Sequence, residues 1–243
     1  MPGIETQDKQ QYVAEMFARI SPRYDLMNSL MTGGQHHRWK RLTARLASQG
    51  LTGPALDVAT GTGDLALCLA RRPGIQPVVG ADLLPPMLAL ARRKARQKGM
   101  DGRVYWAAGD ALALPFPNNT FACATAGFSL RNMPEPDGIA GALREMVRVV
   151  RPGGRVAILE LTPMTGGIIS RSFRLYFHHL VPLMGQLVAG ERAAYTYLPR
   201  SVDRFLEAEA LARLFRELGL REVGYRRLGC GTMAIHWGVK QPL

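Results

Sequence analysis

The chain has 243 residues, 47% of them hydrophobic, which suits one α/β domain with appended segments around a substantial core. Its formal net charge of +12 points to nucleic acid, an acidic membrane surface, or no more than a solubilising basic exterior. Three scattered cysteines, Cys68, Cys123 and Cys230, exclude a disulfide scaffold and a cysteine-ligated metal, and every apolar run is too short to span a bilayer.

The first ten residues, MPGIETQDKQ, lack the charged-then-apolar layout of a secretion signal, so a reduced cytoplasmic protein is expected. Next comes FARISPRYDLMNSLMTGGQHHRWK, Phe17 to Lys40, too apolar for a disordered tail. Short β-rich runs then alternate with helical patterns: Ala55 to Ala59, Pro77 to Asp82, Val104 to Gly109, Phe121 to Gly127 and Arg155 to Leu161. That alternation predicts a doubly wound parallel sheet with helices on both faces.

Among the helices, Leu88 to Lys98 sets alanines and leucines against a basic side. Another begins near Pro136 and is ended by Arg151-Pro-Gly-Gly154. Thr162 to Arg200 is apolar, aromatic and arginine-bearing, with Glu191 its single acid, and reads as a helical insertion. A helix over Glu207 to Leu218 and strands near Gly224 to Leu228 and Thr232 to Lys240 complete the pattern. Residues 1–50 thus form an N-terminal helical lid and 51–243 a core domain with the insertion at 162–200.

ALDVATGTGDLA runs from strand into helix through Gly61, Thr62 and Gly63, where glycine permits a tight turn and close ligand approach. Taken literally, Gly61, Gly63 and Ala66 also fit a dinucleotide turn. Three acids separate the readings. Asp57 lies within the first strand, where it could receive an amino-acid ammonium that a nicotinamide cofactor lacks. Asp82 closes the second strand, placed to accept ribose hydroxyls, and Asp110 closes the third, within reach of an adenine amino group. Adenine, ribose and an amino-acid end together describe S-adenosylmethionine, whose carboxylate suits the helix start at Gly63.

ALDVATGTGD, GADLLPPML, GDALALPFPNNTF and VRVVRPGGR together resemble the class I S-adenosylmethionine-dependent methyltransferases, over Leu51 to Leu161. Outside that core, FARISPRYDLMNSLMTGGQHHRWK, FSLRNMPEP, AAYTYLPRSVDRF and MAIHWGVK resemble, in order, the ubiquinone/menaquinone biosynthesis C-methyltransferase family. The resemblance implies a Rossmann-like, seven-stranded sheet and methylation of a ring carbon of a prenylated quinol, demethylmenaquinol above all. It carries the cofactor role onto Thr62, Asp82, Asp110, Ala111 and Ser129; Asp57, Gly61 and Gly63 follow the wider methyltransferase pattern.

For the acceptor, Arg131 can stabilise a developing phenolate, while Asn132 and Tyr24 can hydrogen-bond quinol oxygens. Asp25 or a histidine of the His36-His37 pair can take the proton, and Tyr24, Asn28 and Tyr197 face or close the acceptor pocket. No metal is expected. Expected partners are the prenylated quinol and the inner membrane surface, touched peripherally by the insertion; nucleic acid is not expected, and a homodimer stays open. Rival readings are a nucleic-acid or other small-molecule methyltransferase, or a non-catalytic RNA-binding protein on the same core. Benzoquinol against naphthoquinol and the prenyl length stay open, because LVAGERAAYTYLP, SVDRF and GCGTMAIHWGVK depart from the family pattern.

Overall fold

The apolar runs form seven strands: β1 (Gly53–Val58), β2 (Ile75–Asp82), β3 (Val104–Ala108), β4 (Phe121–Gly127), β5 (Val150–Leu161), β6 (Leu220–Leu228) and β7 (Met233–Lys240). The structure, a computed structural model, describes residues 6–134, 137–163 and 167–241. Hydrogen bonding orders one sheet as β3-β2-β1-β4-β5-β7-β6, with β1 to β5 parallel and β7 antiparallel to both neighbours. Strand order reverses between β1 and β4, so a crevice opens beyond their carboxyl ends, where ligands bind in such sheets.

Three clusters make the core. On one face α6 (Gly138–Val149) and α10 (Ala208–Glu217) pack Leu143, Met146, Leu211 and Phe215 against Leu56, Val58 and Ile158. On the other, α3 (Gln35–Ser48), α4 (Asp64–Leu69) and α5 (Pro85–Gln97) meet the sheet through small residues such as Ala44, Ala47, Ala66 and Ala95. The third cluster lies above the crevice. It joins Met16 and Ile20 of α1 (Thr6–Ile20) and Met27 of α2 (Tyr24–Thr32) to Phe128, Leu161 and Met233. Val181 of α8 (Val181–Met184) and Tyr195 of α9 (Arg192–Asp203) complete it. Each large side chain buried there stabilises the docked helices by about 1.5–3 kcal/mol.

The insertion is helical as expected. A π-helical stretch, Tyr176–Leu180, links α7 (Gly167–Leu175) and α8 into one rod that a second, Gly185–Ala189, extends, and α9 packs back against it.

Some boundaries differ from expectation. The helix start near Pro136 lies outside the described residues, and α6 ends at Val149. The Arg151-Pro-Gly-Gly154 stretch does stop the helix, yet it belongs to β5, because the backbone continues along β4 through a register shift between Phe121 and Cys123. The N-terminal 50 residues divide as well. α3 packs on α4, β4 and β5, and Arg155 donates to the Leu46 carbonyl at 2.7 Å, so α3 belongs to the sheet layers. Only α1 and α2 form a lid, and the joint is Gly33-Gly34, with φ of 55° and 74°.

Two buried histidines set a pH limit on this packing. His236 in β7 lies 2.8 Å from the Ala208 carbonyl, and burial pushes its pKa down to about 4. Burial, with Lys40 and His37 nearby, pushes His36 down to about 4 as well. Both bind protons more readily when unfolded, so their contribution is complete above the ordinary value of 6.5 and is lost as pH falls from there towards 4. Asp57, pushed up to about 6 by burial, acts in the opposite sense between 6 and 3.8. Replacing His236 with Gln is therefore expected to remove about 3 kcal/mol of the stability lost between pH 6.5 and 4, read from urea denaturation at each pH.

Candidate active site

A cavity of about 140 Å³ occupies the crevice. Gly61, Asp82, Asp110, Ala111 and Ser129 stand in its wall, and Val13, Ala14 and Phe17 of α1 cover it beside Tyr24. Asp82 accepts the Gly61 N–H at 2.7 Å and the Leu84 N–H at 2.9 Å, and burial raises its pKa above the usual carboxylate value. Asp110 accepts the Leu112 N–H at 2.9 Å. Each carboxylate thus closes its own turn at the cavity wall.

The two turn glycines serve different ends. A Cβ on Gly61 would meet nothing within 4 Å, and its φ is +55°, so this backbone leaves open space in the wall where a ligand can approach. A Cβ on Gly63 would lie 2.5 Å from Trp106, so Gly63 answers to packing. Asp57 also lies behind the wall. It is 1% exposed and accepts from Thr125 at 2.7 Å, Ala66 N–H at 3.1 Å and the Thr60 hydroxyl. The expected ammonium contact is not among its bonds here; with three protein donors Asp57 holds β1, β4 and α4 in register under the turn.

Thr62 likewise points away from the cavity, into a charge network that sequence reasoning missed. Its hydroxyl donates to Asp25 at 2.6 Å and accepts from Lys94 at 3.0 Å. Lys94 of α5 also pairs with Asp25 at 2.6 Å and with Asp64 at 2.7 Å, and Lys40 of α3 holds the other Asp64 oxygen at 2.9 Å. The two ammonium groups outweigh burial and hold Asp64 well below the usual carboxylate range. Asp64 in turn raises Lys40 against the lowering effect of burial. His36 and His37 come within 4.8 Å of Asp64, but its oxygens already hold two cations, which disfavours a metal ion. Asp25 lines none of the cavities at the site, and its carboxylate instead fastens α2 to Lys94 and Thr62.

Past a constriction of about 30 Å³ lies a second cavity of about 790 Å³. Tyr24 and Asn132 face both the first cavity and the constriction; Asn28 and Arg131 face the constriction and the second cavity; Tyr197 closes the side. Arg131 is buried and paired with Glu160 at the end of β5, whose carboxylate also accepts the Leu161 N–H at 2.9 Å. Phe128, with φ of 61°, forms a wall of both cavities; so bulky a residue in the left-handed region is strained, as residues at functional sites often are. Around this junction Ser129 Oγ, Asn132 Oδ1, Arg131 Nε and Asn28 Nδ2 are buried without a hydrogen-bond partner among the described residues.

Sheet order, antiparallel β7, and a crevice with acids after β2 and β3 define a class I methyltransferase fold and site. Solved structures agree on the fold. A [4+2]-cyclase, SpnF, superposes with a TM-score of 0.70 at 21% identity over 97% of each chain. A S-adenosylmethionine-dependent methyltransferase from Thermotoga maritima, a possible histamine N-methyltransferase by its description, gives 0.62 at 19% identity, covering 94% of this chain and 99% of that one.

Sequence relatives are more specific. Demethylmenaquinone methyltransferase of Thermus thermophilus is 45% identical over 92% of this chain and 99% of its own, and that of Deinococcus radiodurans 44% identical over 99% and 97%. The ubiquinone/menaquinone biosynthesis C-methyltransferase UbiE of Desulfotalea psychrophila is 42% identical over 98% and 91%. Residues 5–240 match the ubiE/COQ5 methyltransferase family, to which this chain belongs.

Glu160 is the acid that an isolated charge in the apolar run RVAILEL could have flagged. Removing it leaves the Arg131 charge buried and unpaired, so Glu160→Ala is expected to cost about 3–5 kcal/mol in urea denaturation. Adding Arg131→Met should restore most of that loss.

Proposed function

We propose that the protein transfers a methyl group from S-adenosylmethionine to a ring carbon of a prenylated quinol, converting demethylmenaquinol to menaquinol. The observation that carries this reading is the set of unpartnered buried polar atoms, Ser129 Oγ, Asn132 Oδ1, Arg131 Nε and Asn28 Nδ2, at the junction of two cavities. Buried polar groups are nearly always paired, so atoms left without partners between two cavities fit a pair of ligands that meet there.

On this reading the cofactor belongs in the smaller cavity, with Asp82 towards its ribose hydroxyls, Asp110 and Ala111 towards adenine, and Ser129 beside them. Bound there, it supplies an electrophilic methyl group. The protein's own task is to orient the acceptor ring and favour its ionised form. Arg131, fixed by Glu160, sets a positive charge where a phenolate develops, and charge placed in advance in a buried site costs no reorganisation. Asn132 and Tyr24 hold ring oxygens between the cavities, and Phe17 and Tyr24 shut out water.

The acceptor is a lipid, and the surface near its cavity suits a membrane. No helix among the described residues is long and apolar enough to cross one. Yet the rod of the insertion exposes Leu187 at 76%, Leu175 at 65%, Leu183 at 49% and Leu180 at 47%, beside a basic groove with Arg171, Arg174 and Arg200. Arginines near an anionic leaflet contribute about 1 kcal/mol each, and the leucines add apolar burial.

Two measurements test these readings. Incubation with methyl-labelled S-adenosylmethionine and reduced demethylmenaquinone in detergent should put label on the quinol ring, and Asn132→Ala should lower kcat by about a hundredfold. Label on RNA alone, in a parallel incubation, would sink the quinol assignment. The protein should sediment with vesicles of phosphatidylglycerol and phosphatidylcholine but not with phosphatidylcholine alone, and Leu175→Ser with Leu187→Ser should weaken that binding; equal binding of the variant would remove the rod from the contact.

A further inference from the structure

The second cavity is out of proportion to an aromatic ring. Its volume of about 790 Å³ is several times the 140 Å³ of the cavity beside the glycine turn, and the narrow junction between them is lined by Tyr24 and Asn132 towards the smaller cavity and by Asn28 and Arg131 towards the larger. It runs between the lid and the rod, with Met31 of α2 on one side, Phe173 and Phe177 on the other, and Trp39 and Met233 from the sheet side. Apolar walls around so large a space neither hold ordered water well nor satisfy their own dispersion contacts, so they fit an apolar occupant.

The buried polar atoms on this cavity's wall without partners among the described residues come from Arg131, Asn28 and His36. Arg131 and Asn28, each with an unpartnered buried nitrogen, stand at the junction, with the unpartnered His36 Nδ1 near them on the wall. At the other end Leu30 is 45% exposed, and Ser172 and Cys230 are exposed as well, so the cavity opens to the surface there. A ligand that fits this arrangement has a polar head at the junction and a long hydrocarbon chain towards the mouth.

We propose that this cavity is a dedicated channel for the isoprenoid tail of the acceptor, leading from Arg131 between α2 and the rod to a mouth beside Cys230. The proposal rests on the quinol reading of the site and adds where the tail lies and what selects it. The ring is placed by the junction; the chain contributes binding along the channel and leaves the protein beside the exposed leucines of the rod. Affinity should therefore grow with the first isoprene units and level off once the chain passes the mouth.

Cys230 allows the native protein to be tested without disturbing the core. Its thiol is exposed, whereas burial raises the thiol pKa of Cys68 and pushes that of Cys123 up to about 12, so a bulky fluorescent maleimide should react at Cys230 alone. With the mouth plugged, KM for a prenylated demethylated naphthoquinol should rise about tenfold or more, while kcat/KM for the same ring without a tail stays unchanged. C230S exposed to the same reagent should show the same KM before and after treatment. In a second arm, the attached fluorophore should change emission when geranylgeraniol, a prenyl alcohol without a ring, is added to the labelled protein.

An unmodified enzyme that methylates the prenylated quinol, with plugging that leaves its KM unchanged or impairs the tail-less ring equally, would overturn the channel and leave the quinol reading standing. Absence of methylation on any quinol would remove that reading instead. The prenyl-alcohol titration then still decides whether the cavity takes an isoprenoid chain, and no spectral response would overturn it.

Discussion

Everything above the sheet depends on a small electroneutral cluster, two lysines and two aspartates from four different helices. Lys40 of α3 and Lys94 of α5 clamp Asp64 at the start of α4, and Lys94 reaches on to Asp25 in the lid. Lys40, Lys94 and Asp64 are largely removed from water, where charges are tolerable only when each has its partner, and the half-exposed Asp25 joins the lid to that buried trio. Asp64 gains further from the amino end of α4, where unpaired N–H groups favour an anion. Through Thr62 the same cluster grips the glycine turn, so the lid and the wall of the smaller cavity are set by one set of bonds.

That coupling joins an otherwise general fold to the segments particular to this chain. The crevice beyond β1 and β4 is common to the class, and a cyclase shares the fold with methyltransferases, so the sheet alone does not choose a reaction. Chemistry is chosen where α1, α2 and the insertion close over the crevice. They carry Tyr24, Asn28 and Tyr197 to the buried Arg131–Glu160 pair and divide the space into a smaller and a larger cavity.

Much of this was legible in the sequence, for reasons that differ by residue. Period-two apolar runs and glycine turns mark strands whatever packs on them, so the five parallel strands and the acids Asp82 and Asp110 at their ends could be read directly. Asp57 could be seen but not its direction: alternation along a strand shows that neighbours face opposite ways, not which side holds the ligand. Lys94 was hidden among Arg92, Arg93 and Arg96, since a basic helix side reads as solvated until a carboxylate from elsewhere in the chain is known to meet it. Asp25 sits between Tyr24 and Asn28, which face the junction, yet on a helix the next residue points elsewhere, and sequence alone does not show that it meets Lys94 and Thr62. The lid boundary was marked by Gly33-Gly34, while the apolar pattern of α3 continues past them without saying which layer it joins.

The most direct test of the account is amide hydrogen exchange across residues 24–32 in the native protein and in Lys94→Met. If Lys94 holds the lid to the glycine turn, the substitution should speed exchange through α2 about tenfold or more, equivalent to about 1.4 kcal/mol of lost local stability. Unchanged exchange in α2, with the rest of the fold intact, would mean that apolar packing alone seats the lid and that the charge cluster does not organise the site.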